Sequence, residues 1–175
     1  MNFKLVEAVS MLERTPRVLN EMLTGLPEGF LTCNEGEGTW SGIEVVDHLI
    51  EAEKENWIPR LRFIVEVGDT NPFPEFDRFA HLHEKAETTL AEKLNEFKKR
   101  REDNLETLKS LVDEDILDRK GFHPALGEVK LKELIATWAV HDLTHLNQIT
   151  RVIAKRYSND VGPWKEYLGI LKREL

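Results

Sequence analysis

The chain has 175 residues, with 24 Lys and Arg against 32 Asp and Glu, a formal charge of −8, and 41% hydrophobic beside 32% charged residues. That length suits a single domain, expected over 1–175, and the acidic balance argues against nucleic acid or anionic lipid as partners. Its one cysteine, Cys33, excludes an intrachain disulfide and a Cys-rich zinc site, and the longest uncharged apolar run, Leu134 to Val140, falls far short of the roughly 18 residues of a membrane span.

The first helix is expected from about Leu5 to Leu23, stopped by Gly25, Pro27 and Gly29. Its charged residues Lys4, Glu7, Glu13 and Arg14 do not fit a signal peptide, so a soluble protein of the reducing cytoplasm is expected. After a loop over Thr32–Thr39, Ser41 and Glu44 stand three apart as in a capping box, which starts a second helix running to about Val67. Pro59 removes a hydrogen bond inside that span and predicts a kink or break near Trp57. Gly68–Pro74 reads as loop. A long charged third helix is expected over roughly Glu75–Val112, with Phe79, Leu82, Ala86, Leu90, Leu94, Phe97, Leu105 and Leu108 on its apolar side. Asp113–Gly127 is a connection, and the fourth helix follows from about Leu131 to Lys155, although Lys130 sits where Ser or Thr would cap better. A short terminal helix over Pro163–Leu171 is expected to fold back on the bundle end through Trp164, Tyr167 and Leu168. No segment reads as a strand. The expected fold is all-α, a four-helix bundle with long connections and a short C-terminal helix.

Six histidines are the residues most able to carry chemistry. His141 and His145 are four apart, which stacks two imidazoles one turn apart on the flank of the apolar arc of the fourth helix. His48 projects to the edge of the apolar arc of the second helix. One imidazole from one helix and a stacked pair from another can make a three-nitrogen metal site with an open position. The same placement also suits three boundary histidines hydrogen-bonded to carboxylates or carbonyls.

The segments Trp40-Ser41-Gly42-Ile43-Glu44-Val45-Val46-Asp47-His48-Leu49 and Ala139-Val140-His141-Asp142-Leu143-Thr144-His145-Leu146-Asn147-Gln148-Ile149 resemble the DinB and YfiT-like family of metalloenzymes. The resemblance covers most of the chain. It implies a four-helix bundle with a divalent metal, Zn²⁺ or Ni²⁺, held by His48, His141 and His145, and it implies paired bundles, hence a homodimer. Thr144 departs from the pattern, since many relatives carry a histidine there. Some members of the wider family are transferases that use a low-molecular-weight thiol such as bacillithiol or mycothiol. Thiol transfer to a small electrophile, hydrolysis by a metal-activated water, and a non-catalytic metal-binding stress-response bundle are therefore the three functions to separate.

The remaining candidates carry weaker expectations. His81 and His83 are two apart, cannot share a metal from one helix, and are expected at the surface or boundary. His123, before Pro124, is expected as a turn residue, with an acid–base role as the sharper alternative. Cys33 is expected as a half-buried thiol. Asp142 falls inside an apolar arc and so needs a partner: a cap, an indole N–H such as that of Trp40, a basic side chain, or a ligand histidine. Gln148, near His145, lines either the pocket or the surface. Trp40, Trp57, Trp138 and Trp164 are expected as apolar walls. Lys98-Lys99-Arg100-Arg101 is expected as a solvated helix face, and no general base is identifiable.

Overall fold

The computed structural model describes residues 3–83 and 88–172. The first expected helix is two helices, α1 (Leu5–Leu12) and α2 (Thr15–Leu23). Pro16 is the reason, because it cannot donate to the carbonyl four residues back and leaves the oxygen of Leu12 without a helical partner. A single turn, α3 (Glu28–Leu31), precedes α4 (Gly42–Glu55). At the start of α4 Glu44 donates its N–H to Ser41 Oγ at 3.3 Å, and the Glu44 carboxylate accepts the Ser41 N–H at 2.8 Å. The break expected near Trp57 falls at Asn56, after which α5 (Trp57–Glu66) runs on with Pro59 in its first turn.

The long third helix is a correction. The α-helix α6 spans only Leu90–Leu111, and before it the chain over 72–83 is irregular apart from a 3₁₀ turn at Ala80–Leu82. Pro72 and Pro74 lack donors, and Asp77 Oδ1 accepts the Phe79 N–H at 2.8 Å, closing a turn instead of a helix. The start of α6 is set by a second capping box, Thr89 with Glu92, whose carboxylate accepts the Thr89 N–H at 2.7 Å. Ala86, assigned to the long helix from its pattern, lies outside the described residues. Leu94, Phe97, Leu105 and Leu108 are buried within the chain, so the described part of α6 has no surplus apolar side.

The chain also contains a β-hairpin where none was expected: β1 (Lys120–His123) pairs antiparallel with β2 (Gly127–Lys130), Gly121 opposite Val129. Three residues connect the strands, and Gly127 supplies the left-handed backbone (φ +78°) that such a loop requires. A Cβ on Gly121 would stand 2.7 Å from Ile64 and 2.8 Å from Phe73, so the hairpin lies on α5 and on the Phe73 ring by backbone contact. The long helix α7 (Leu131–Lys155) then begins and ends where expected, its start assisted by Glu133, which accepts the Lys130 N–H at 2.8 Å. The terminal segment forms 3₁₀ turns at Gly162–Tyr167 and Gly169–Leu171; Trp164 and Tyr167 are 71% and 91% exposed and do not pack on the bundle. Among the described residues no helix is long and apolar enough to cross a membrane.

The core is two apolar clusters, one including Leu12, Leu61, Leu108 and Trp138, the other Leu19, Leu49, Phe97 and Ile149. Arg101 on α6 and Asp142 on α7 fall between the two clusters in sequence, and Glu53 on α4 follows Ala52 of the first; all three are buried. The basic run expected as a solvated face thus contains its opposite, for Arg101 is 1% exposed. Its guanidinium clasps Asp142 through two bonds (Nη1 to Oδ2, 2.6 Å; Nη2 to Oδ1, 3.0 Å) and donates to Glu53 Oε1 at 2.8 Å. It also donates to the Leu12 oxygen that Pro16 leaves free, at 2.9 Å. Thr15 completes Asp142 at 2.6 Å, while the Trp138 indole and Asn104 complete Glu53 at 3.0 and 2.9 Å. Burial works against the charge of Arg101, but Glu53 and Asp142 outweigh it and hold the guanidinium protonated; burial pushes the Glu53 carboxyl up.

Arg101→Met should destabilise the protein by about 3–5 kcal/mol in urea unfolding, because two buried carboxylates lose their cation. Replacing Arg101, Glu53 and Asp142 together by Met, Leu and Leu should recover much of that loss, which a sum of single-site effects would not do. Gly121→Ala should destabilise by about 1–3 kcal/mol through overpacking against Ile64 and Phe73, measured in the same way.

Candidate metal centre

His48 is placed by α4, and His141 and His145 by α7, with the rings brought together at one end of the polar layer. His141 Nε2 stands 3.2 Å from His48 Nε2 and 3.1 Å from His145 Nε2. The other nitrogen of two of these rings is committed. His48 Nδ1–H donates to the Arg78 carbonyl at 3.2 Å, and His145 Nδ1–H donates to Gln148 Oε1 at 2.8 Å. Both therefore turn an unprotonated Nε2 inward. His141 Nε2 can donate to one of them at most, so at least one inward lone pair has no donor within the cluster.

Burial, followed by the neighbouring His145 and His81 rings, holds His48 far below the ordinary imidazole value, at about 3. Burial pushes His141 and His145 in the same direction, with His145 adding to the effect on His141. All three stay neutral near pH 7 and keep the lone pairs that a cation needs. Nitrogens held about 2.0–2.1 Å from one tetrahedral ion stand about 3.3–3.4 Å apart, so the observed spacing and donor type fit a divalent metal. Among the described residues these three are the cluster of His, Cys, Asp or Glu side chains able to share an ion.

The surroundings sort the other expectations. Gln148 orients a ligand rather than facing solvent. Asp142, adjacent to His141, takes the basic partner Arg101 and the Thr15 hydroxyl rather than Trp40. Trp40 instead packs on the histidines, stacked with His145 at 6.2 Å and edge-on to His81 at 4.5 Å. Its position follows from the Ser41 cap on one side and, on the other, from the loop residue Glu35, whose carboxylate accepts from Arg151 Nε at 3.0 Å. Cys33 is half-buried, its thiol near the Val152 carbonyl at 3.6 Å, and does not reach the histidines.

His81 corrects the expectation of a surface or boundary residue. It is buried, its ring 5.3 Å from that of His48, and neither of its nitrogens has a partner among the described residues. The projection failed because it assumed an α-helix where the chain makes a 3₁₀ turn. His83 is exposed as expected.

A cavity of about 440 Å³ opens onto the three histidines. Trp40, Trp57, Phe73, Phe76, Val129 and Leu134 give it apolar walls, and Arg60, Arg78, His123 and Glu133 supply its charged and polar groups. His123 is the turn residue expected, its Nδ1 accepting the Ala125 and Leu126 N–H groups at 3.1 and 3.3 Å, and it also lines the cavity. Phe73, Arg60 and the hairpin were not singled out from the sequence. The pattern Phe122-x-Pro124-x-x-Gly127-x-Val129 carried a hairpin signal, and Arg101 stands in the series 94, 97, 101, 105, 108, where the helical repeat demands a buried residue.

No curated protein matches the chain. Among solved structures it resembles YfiT from Bacillus subtilis, described as a probable metal-dependent hydrolase with an unusual four-helix bundle topology, at a TM-score of 0.72 and 20% identity over 87% of each chain. That likeness establishes the shared four-helix bundle. A sequence profile described as DinB superfamily matches residues 11–149, a span that runs from the end of α1 through both histidine-bearing helices. With the bundle, its three converging imidazoles and that match in agreement, the chain belongs to the DinB superfamily.

Proposed function

We propose that the protein is a divalent-metal-dependent enzyme acting on a small, largely apolar molecule, with His48, His141 and His145 as the ligands. The observation that carries this reading is the convergence of three neutral Nε2 atoms while the Nδ1–H groups of His48 and His145 are engaged by oxygen acceptors. Three imidazoles suit Zn²⁺ or Ni²⁺ alike, and such an ion supplies a Lewis acid that lowers the pKa of a water or a thiol at its open position. The chain's own part is to hold the ligand rings, exclude bulk water and orient the substrate. Trp40 covers the rings, and Trp57 and Phe76 present apolar surface beside them. A net acidic chain and a cavity of about 440 Å³ support a small-molecule partner rather than nucleic acid.

Hydrolysis is the first reading, supported by the description of the YfiT structure. Transfer from a low-molecular-weight thiol is the second. It is favoured by the state of the one carboxylate that lines the cavity among the described residues: Glu133 is occupied as a helix cap, and a thiolate attacks without a base to take its proton.

Elemental analysis of the purified protein should find one divalent metal per chain. His48→Ala and His141→Ala should lose it with the fold intact by circular dichroism, whereas His83→Ala should match the parent. Full occupancy in the first two variants would place the metal elsewhere. Gln148→Leu should keep the site but bind the metal about 10–100-fold more weakly, since His145 loses its orienting acceptor.

A screen of the metal-loaded protein against esters and amides, and against electrophiles with bacillithiol, mycothiol or other small thiols, should separate the two chemistries. Turnover without thiol supports the hydrolase. A rate that rises with thiol concentration and vanishes without it supports the transferase. Inertness toward both would favour a non-catalytic metal-binding bundle.

A further inference from the structure

We propose that Arg60 and His123 form a carboxylate-binding subsite in the wall of the cavity, so that the molecule handled at the three-histidine centre is an organic acid with an apolar body. This rests on the reading of the cavity as the substrate site.

Both groups gather around one phenyl ring. The Arg60 guanidinium lies 5.5 Å from the centre of the Phe73 ring, and the His123 imidazole stands edge-on to the same ring at 6.0 Å. Arg60 is half-buried. It has no ion pair or side-chain hydrogen bond among the described residues, and its Nε is enclosed without a partner. Burial works against its charge, as expected for a cation taken partly out of water with no counter-ion beside it.

The tautomer of His123 is set by its turn. Because Nδ1 accepts two backbone N–H groups, the proton of the neutral ring is on Nε2, which has no protein partner among the described residues. Burial and then the nearby Arg60 charge hold this imidazole below its ordinary value, so at neutral pH it offers one donor and no charge.

The wall at Phe73 therefore presents a planar cationic fork and a neutral N–H donor. Among the described residues the cavity's one carboxylate, Glu133, makes no ion pair with Arg60 and is engaged by the Lys130 N–H. Arg78, also lining the cavity and likewise without a salt bridge among the described residues, adds positive potential. A single guanidinium beside a neutral donor matches the charge and the two oxygens of a carboxylate monoanion. The aromatic walls would take the remainder of the ligand.

The test is calorimetric binding of benzoate, phenylacetate and 3-phenylpropionate, each against its primary amide. It uses the protein as purified and after removal of metal with phenanthroline. At least one acid should bind about tenfold or more tightly than its amide, with or without metal. Arg60→Gln should abolish that preference while metal content and circular dichroism are unchanged, and Arg60→Lys should retain part of it. The proposal is overturned if no acid binds better than its amide, if the preference survives in Arg60→Gln, or if it disappears when the metal alone is removed, because the metal would then be the carboxylate's partner. An Arg60-dependent preference in a protein that carries no metal would uphold the subsite and sink the metal reading. A metal-loaded protein without the preference would do the reverse.

Discussion

One guanidinium, that of Arg101, neutralises two carboxylates in the middle of the bundle, and much of the architecture can be traced from it. Asp142 and Glu53 are nearly inaccessible to water, and burying either carboxylate there without the cation between them would be costly. The arrangement also explains a detail of the first two helices. Pro16 breaks the chain's first helical stretch, the carbonyl of Leu12 loses its donor, and Arg101 supplies one. A helix break and a buried arginine, each unfavourable alone, satisfy each other.

The position of that layer bears on the histidines. Asp142 adjoins His141 and lies one turn before His145 on α7, while Glu53 lies five residues after His48 on α4. By tying α4 and α7 to the same side chain of α6, the layer limits how far the two helices can slide or rotate past each other. The His141 nitrogen, 3.2 and 3.1 Å from its two neighbours across two helices, needs that limit, because a rotation of either helix would carry an imidazole away. The ionic layer is thus as much a spacer for the rings as a stabilising element. Its polar composition specifies register, which an apolar layer of the same volume would do less well.

What the sequence made legible follows from the kind of signal involved. Helices with clean apolar periodicity, α4 behind a strong cap and α7 behind a weak one, were found with their histidines, because His48, His141 and His145 sit at fixed angles on regular helices. The region over 72–83 was not, because an apolar residue every three or four positions reads as helix even when prolines and a turn prevent one. With that region went His81, Phe73 and the Arg78 carbonyl that orients His48. Arg101 was misread for a related reason: a run of four basic residues draws attention to charge, whereas the spacing from Leu94 to Leu108 marks its third basic neighbour as an inward position. The hairpin was hidden by its shortness, since four-residue strands give periodicity little to work with.

The His48 ring is held in orientation by a main-chain oxygen, that of Arg78, and not by a side chain. The side chain at position 78 can therefore change identity without disturbing the ring beside it, provided the loop keeps its path. Part of the cavity wall is likewise contributed by the 72–83 loop and the hairpin, facing Glu133, Leu134 and Thr137 of α7. The three imidazoles and that part of the wall consequently occupy separate stretches of chain. Such a division gives the scaffold room to diversify: drift in the loop and the hairpin can alter which molecules are admitted while the three imidazoles keep their geometry.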